Sequence, residues 1–476
     1  MQICGCELPN NNKKTQTPKD KIDLTIGVFF DGTCNNKYNS DSGKNKSGSY
    51  EGSWTNVASL WMNYYSYPQK LIDKIYLEGI GTVTSVPKKD KTIGWSGNRK
   101  NAKQWENGKV IIDDDKLISS GDGDDFYQGT AFGFGSNGVN AKIARACKLV
   151  ALKLKHLKNQ KKGKDSTVNS ITIDVFGFSR GAAAARSFVS RLKEEAGTEN
   201  EKFKVVLHEQ LSSELKDANI SVRFMGLFDT VSSYHKGLNT SPTNHFNTKN
   251  VAELALNIPK YVDMVVHLVA ADEYRANFSV TNIQSAGSLG YEIILPGSHS
   301  DIGGGYAQPD VEKILMNGNS HTDKRECRGY MSLAELQEGS WIIPKWFDKK
   351  EWMLADGSVR LMNNYNRYVK NDYARIPLDI MRGFAQCQKC IQFKDDSMND
   401  STEIQDANLI KLKDRLESVA FKGESLYTIK EKKITLKNET DLKLIKSVRY
   451  DFIHLSARDE TGHEATKDNI RTLIPG

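Results

Sequence analysis

The sequence predicts an α/β fold with a mostly parallel central sheet, elaborated by insertions and followed by a mainly helical C-terminal module. Three observations carry this. Short runs of β-branched and aromatic residues recur at 23–30, 74–82, 171–176, 220–228 and 291–296, with room between several of them for crossover helices. The first run is apolar on both faces toward its end, as in a strand buried in a parallel sheet. Each of these runs opens into a loop carrying glycine or a chemically active side chain, and open α/β sheets keep their chemistry at the carboxyl ends of their strands.

The totals suit this fold. A chain of 476 residues holds one large domain with insertions or two to three ordinary ones, and its 38% hydrophobic and 26% charged residues are those of a globular protein. A net charge of +7 permits attraction to an anionic membrane surface or to nucleic acid but argues for neither. No run approaches the roughly 18 apolar residues of a membrane span. The polar, basic stretch from Met1 to Lys21 has no apolar core of a secretory signal, so export would need a machine that reads no such signal. Seven scattered cysteines argue against a disulfide framework and fit a reducing compartment. Cys387 and Cys390 form a lone C-x-x-C, and Cys4 and Cys6 lie in the tail, so no metal or other cofactor is expected.

Taken in order, residues 1–20 read as a flexible leader and 21–310 as the catalytic domain. The strand 23–30 runs into Asp31-Gly32-Thr33. Phe29 stands where a phosphotransfer signature would need its nucleophilic aspartate, so the junction reads as a source of backbone N–H groups, those of Asp31 and Gly32. A helix is expected over Thr55–Tyr67, a strand over 74–82, and an irregular insertion over 84–125. The glycines of 129–138 match no phosphate-binding pattern, and a basic amphipathic helix follows over Asn140–Lys158. Residues 193–218 read as helical, 233–260 as a second insertion holding His235 and His245, and Val265–Arg275 as a helix end or buried segment. From 311 to 476 helices are expected over Leu333–Trp346, Tyr373–Phe384 and Asn408–Phe421. Trp341, Trp346, Phe347 and Trp352 there read as packing, with a cover over an apolar groove as the other reading.

The chemistry concentrates at three strand ends. Gly177-Phe178-Ser179-Arg180-Gly181 follows a strand and precedes an alanine run of high helix propensity, the setting that makes G-x-S-x-G a nucleophile elbow. Ser179 is the candidate nucleophile, and the amide of Arg180 at the helix start is one candidate oxyanion donor beside those of Asp31 and Gly32. Asp229 closes the strand 220–228 as candidate acid. Of nine histidines, His299 alone combines a preceding strand, a glycine-flanked loop and a place after both Ser179 and Asp229. The order serine, aspartate, histidine is that of an α/β-hydrolase. Asp272 and Asp301 are rival acids, and no spacing compels Asp31 and Asp301 into a cation site.

Five segments in this order resemble the DUF2235 α/β-hydrolase family: Phe30-Asp-Gly-Thr33 with Asn35, Gly177–Ala182, Phe228–Val231, His267–Glu273 and His299–Tyr306. That family includes the first family of type VI secretion lipase effectors. The resemblance implies a phospholipase A-type serine esterase, with Ser179 as nucleophile, His299 as base and Asp229 as acid. It implies membrane phospholipid as substrate, a VgrG-like secretion spike or adaptor and a cognate immunity protein as partners, and no nucleic acid. It further implies that the protein resides in the producer's cytoplasm until the type VI system delivers it into a target cell, reaching the periplasm. A membrane-contacting module would come from the insertions and from 311–476. The other functional classes are an intracellular esterase or thioesterase on small acyl substrates, and a non-catalytic binding protein on the same fold.

Overall fold

A computed structural model describes residues 20–42, 48–85, 118–119, 123–125, 137–160, 164–193, 205–233, 249–313, 333–342, 366–389, 391–394, 403–430, 433–457, 466 and 470–476. The leader, most of the 84–125 insertion, His235 and His245, His321 and His463, Cys4, Cys6 and Cys390, and Trp346, Phe347 and Trp352 lie outside the described residues.

Six strands form the central sheet: β1 (Lys21–Phe30), β2 (Ile72–Leu77), β3 (Thr167–Phe178), β4 (Asn219–Phe228), β5 (Val265–Ala270) and β6 (Gly290–Leu295). Their order is β2-β1-β3-β4-β5-β6 and every neighbouring pair is parallel. The chain builds outward one way from β1 to β2 and the other way from β3 onward. The crevice between the carboxyl ends of β1 and β3 is therefore a topological switch point, where sheets of this kind bind ligands. It brings the Asp31 loop beside the Ser179 turn.

Alternation along the strands feeds two apolar cores. Ile22, Leu24, Ile26, Val28 and Phe30 of β1 face one, and Phe29 faces the other. The first core is closed by α2 (Val139–Lys158) and α3 (Arg180–Ser190). Four consecutive alanines, Ala182–Ala185, give α3 helix propensity and let it lie close on the sheet, with every one of its residues buried. The second core is closed by α1 (Asn56–Asn63) and α5 (Arg375–Lys389), with the short α4 (His299–Gly303) at the edge of the sheet. Outside α5 pack α6 (Ala407–Ala420) and then α7 (Glu439–Phe452). Thr55, Asp406 and Asn438 cap α1, α6 and α7 by accepting backbone N–H bonds from the first turn. The described residues beyond 310 thus share a core with the sheet. Among the described residues no helix is long and apolar enough to cross a membrane.

Several elements differ from expectation. Val265–Ala270 is a strand with all six residues buried, and short apolar runs do not distinguish strand from helix by periodicity. The helix expected over Thr55–Tyr67 stops at Asn63, because Tyr64 turns to extended backbone and bridges to Phe393. Within 193–218 the described helices are only Leu207–Gln210 and Ser213–Lys216. The helix expected over Leu333–Trp346 spans Leu333–Glu338, and Ser340 beyond it has a left-handed φ of 59°. By contrast, α5 carries Pro377 in its first turn, where a missing N–H costs little, and α6 starts within a residue of expectation.

Beyond α7 the chain returns to the carboxyl edge of the sheet. Leu473–Ile474 pairs in parallel with Val280–Thr281, and the amide of Gly476 donates to Asn282 Oδ1 at 2.9 Å.

Candidate active site

Ser179 sits between the last residue of β3 and the first of α3, at φ 59° and ψ −131°. Such backbone costs a non-glycine residue roughly 1–3 kcal/mol and persists only where the surroundings enforce it. Here its N–H donates to Phe228 O at 3.0 Å, and its carbonyl accepts from Ala182 at 3.0 Å and Val231 at 3.3 Å. The turn also depends on two flanking glycines. A Cβ on Gly181 would run into the carbonyl oxygens of Phe30 and Asp31, and one on Gly177 would stand 2.6 Å from Ala182 Cα. A serine in this position normally caps its helix, yet Ser179 makes no side-chain cap bond. Its hydroxyl is left to other work.

Asp229 directly follows the last residue of β4, with a φ of 45°, and is fully buried. Its Oδ2 accepts from His299 Nδ1 at 2.5 Å. Its Oδ1 accepts from Ala270 N at 2.9 Å, and Arg471 adds a two-pronged contact, Nη1 to Oδ1 at 2.6 Å and Nη2 to Oδ2 at 2.7 Å. Burial alone would raise the carboxyl pKa. The Arg471 charge and the His299 bond outweigh it and hold Asp229 well below the usual carboxylate range. An ionised Asp229 fixes the proton of His299 on Nδ1 and leaves Nε2 with a lone pair.

His299 opens α4 and is buried. Ser298 and Asp301 form a capping box that sets the start of this short helix, Ser298 N donating to Asp301 Oδ2 at 2.8 Å. The imidazole packs in a tilted arrangement on Phe178, the neighbour of Ser179, at 4.6 Å between centroids, and meets the edge of Phe278 at 4.9 Å. Phe178 can lie there because Gly32 and Gly303 present no Cβ to its ring. Burial lowers the imidazole pKa, and the Asp229 contact raises it back only in part. Glu273 accepts the His299 N–H at 3.2 Å and pairs with Arg275 at 2.9 Å. Burial pushes Glu273 up, but the charge and hydrogen bond of Arg275, with the charges of Arg471 and His299, together outweigh it and bring it down to about 2.

The two rival acids are engaged elsewhere. Asp272 accepts from Gly297 N at 2.7 Å, Tyr274 Oη at 3.1 Å and Arg449 Nη2 at 3.3 Å. Asp301 is held by Ser298 and by His454, whose Nδ1 lies 2.7 Å from its Oδ1. Asp31 is bound to Tyr76, to Thr55 at 2.7 Å and to Gly32 at 2.7 Å, so Asp31 and Asp301 do not converge. Among the described residues no group of histidine, cysteine and carboxylate side chains could hold a metal ion. His267 is a core residue of β5, accepting from Thr230 N at 3.0 Å and paired with Glu292 at 2.9 Å.

The oxyanion donors expected from the Asp31 loop come out differently. The Asp31 amide donates to Leu77 O at 2.9 Å, continuing the β1–β2 ladder, and the Gly32 amide donates to the Asp31 carboxylate at 2.7 Å. Both are already committed. Thr33, next in the loop, is tied to the elbow through Arg180 Nε, which donates to its Oγ1 at 2.8 Å. The amide of Arg180 lies in the first turn of α3, where backbone N–H groups have no acceptor inside the helix.

Sequence reasoning missed Arg471, Arg449, His454 and Ser456, the last donating to Glu273 at 2.9 Å. All four come from the far end of the chain, and no local pattern marks them.

Comparison with known proteins adds four findings. Residues 189–322 match the family model for the catalytic domain of Tle1-like phospholipase effectors of type VI secretion, an interval that holds Asp229 and His299 and starts beyond Ser179. A solved structure of the Tle1 effector bound to the VgrG spike from the type VI secretion system is similar over 100% of this chain and 99% of that one, with 20% identity and a TM-score of 0.56, a likeness of fold. An uncharacterized protein from Pseudomonas aeruginosa aligns over 60% of this chain and 42% of its own at 24% identity and a TM-score of 0.34. No curated protein matches the sequence.

Proposed function

We propose that the chain is a serine-dependent phospholipase A, acting on membrane glycerophospholipids as an antibacterial effector of type VI secretion. One observation carries the chemistry: the 2.5 Å bond from His299 Nδ1 to a buried, ionised Asp229, beside a serine held in a strained strand-to-helix turn. The matched family model supports lipid ester as substrate and type VI secretion as the route.

In this reading His299 Nε2 takes the Ser179 hydroxyl proton as Oγ attacks the ester carbonyl, and Asp229 stabilises the resulting imidazolium. The tetrahedral oxyanion is held by the Arg180 amide, with that of Thr33 in place of the two committed amides before it. Such a donor is worth roughly 10²–10³ in rate. Collapse expels the lysophospholipid alkoxide, which takes the proton from His299. Water, deprotonated by the same imidazole, then releases the fatty acid and restores Ser179.

The fold neighbour's spike makes a VgrG-like protein the partner of choice for delivery. The same reading expects an immunity protein in the producer, cytoplasmic residence before secretion and action from the target's periplasm, with residues 311–476 contributing membrane or partner contact.

The test is release of fatty acid and lysophospholipid from defined diacyl vesicles by wild type and by Ser179→Ala. Release lost in the variant supports the proposal, and the chain left on the lysolipid distinguishes A1 from A2. Cleavage of short soluble esters without vesicle hydrolysis would replace it with the small-ester hydrolase.

A further inference from the structure

Arg471 lies far from Ser179 in sequence, and its side chain is fully engaged. Besides the two bonds to Asp229, its Nε donates to Phe278 O at 2.8 Å and its Nη1 to Ala270 O at 3.1 Å. It is 5% exposed, and Asp229 is 0% exposed. A carboxylate buried this completely needs a compensating charge to stay ionised. The described groups facing the dyad are few. Glu273 and Arg275, from the loop after β5, satisfy each other; Asp301 on α4 is paired with His454, which also lies 3.8 Å from Asp310; Asp272 is met by Arg449. Arg471 is therefore the cation that answers Asp229.

We infer that Arg471 is a positioning residue of the hydrolytic site: its two-pronged grip orients the Asp229 carboxylate toward His299 and sets how basic that histidine is. The inference rests on the serine-hydrolase reading above. Two physical consequences follow. A planar guanidinium bound through both terminal nitrogens fixes the plane of the carboxylate, so Oδ2, which Nη2 also holds, points at His299 Nδ1. The guanidinium charge also opposes the imidazolium that Asp229 favours, so the histidine meets a neutralised pair rather than a bare anion. The His299 pKa lies below its ordinary value despite a carboxylate at 2.5 Å, through burial first and the Arg275 charge in addition. The segment carrying Arg471 is secured just beyond that contact by the Leu473–Ile474 pairing and by Gly476, so residues 471–476 supply part of the proposed active site.

The experiment measures kcat and kcat/KM against pH on a soluble short-chain ester for wild type, Arg471→Met, Arg471→Lys and Ser179→Ala, with far-UV spectra and thermal midpoints of each. Arg471→Met is expected to lose on the order of ten- to a hundredfold in kcat, as for a misplaced catalytic group. Its acid limb should move to higher pH, because His299 then faces an unopposed carboxylate. Arg471→Lys keeps the charge but not the fork, so its kcat should fall between the two while the acid limb stays in place. Guanidinium ion added to Arg471→Gly should restore part of the lost rate. A folded Arg471→Met with the wild-type kcat and acid limb overturns the inference. So does a lowered thermal midpoint with an unmoved pH profile, which marks a purely structural role. If Arg471→Met does not fold, full wild-type kcat in Arg471→Lys, or no response of Arg471→Gly to guanidinium, overturns it. Ester hydrolysis surviving in Ser179→Ala would instead overturn the serine reading, and the inference with it.

Discussion

His299 titrates in a pocket that disfavours its charge. Burial lowers its pKa, the Asp229 contact offsets that only in part, and the Arg275 charge nearby works in the same direction as burial. In the proposed mechanism the base works only when neutral. A lowered pKa therefore keeps it competent to more acid pH, and activity is lost as pH falls through a value below the ordinary 6.5 or so. The expected kcat/KM profile on a soluble ester is flat through neutrality with an acid limb below that value; a limb at or above it would contradict the burial argument. At this scale the sequence pointed to candidate residues but not to their partners. Strand-end placement and chain order singled out Ser179, Asp229 and His299. What each carboxylate binds was not legible: Asp301 is next to His299 in sequence, yet it is spent on a helix cap and on His454. Likewise Asp31 and Gly32 lie on the expected loop with their amides already engaged, since the β1–β2 ladder and an aspartate side chain reach them first.

The element that most constrains the site is the turn from β3 into α3. It crosses the end of β1 so closely that Gly181 has no room for a methyl group against the carbonyls of Phe30 and Asp31. Gly181→Ala should force the helix start away from the sheet. The expected cost is about 1–3 kcal/mol, typical of overpacking, read as a lower urea midpoint. Activity should fall further than stability, because the same shift moves Ser179 and the Arg180 amide together. Wild-type kcat in that variant would show that the contact can relax. The turn was legible in the sequence because glycine, serine and an alanine helix must follow one another there for steric reasons. The strand Val265–Ala270 was not, since its six buried residues carry no alternation from which to read a period. The early stop of α1 was hidden too, because Tyr64 leaves the helix for a bridge to Phe393, more than three hundred residues away.

Across the whole molecule, buried charges tie the distant end of the chain to the strand-end loops. Arg367 is fully buried and donates to Glu312, and also to Ile453 O at 2.8 Å and Arg449 O at 3.2 Å. Glu312 in turn accepts the Leu455 amide at 2.6 Å. Glu312→Leu would leave a buried guanidinium without its anion, and about 3–5 kcal/mol of stability should be lost in urea unfolding. Arg367→Met/Glu312→Leu together should recover much of it, because the stranded charge is gone; failure to recover would mean that the backbone bonds of Arg367 matter more than the pair.

The sequence by itself determined the class of fold, the positions of most sheet strands and the three side chains at their ends, because those follow from period, sterics and chain order, all local properties. Only the tertiary structure decided which carboxylate meets the imidazole, that the Asp31 and Gly32 amides are committed, and that Arg471 stands behind Asp229. These depend on contacts between residues up to 242 positions apart. An isolated arginine followed by a two-residue strand carries no signal of its own, and its meaning comes from the buried charge that folding places opposite it.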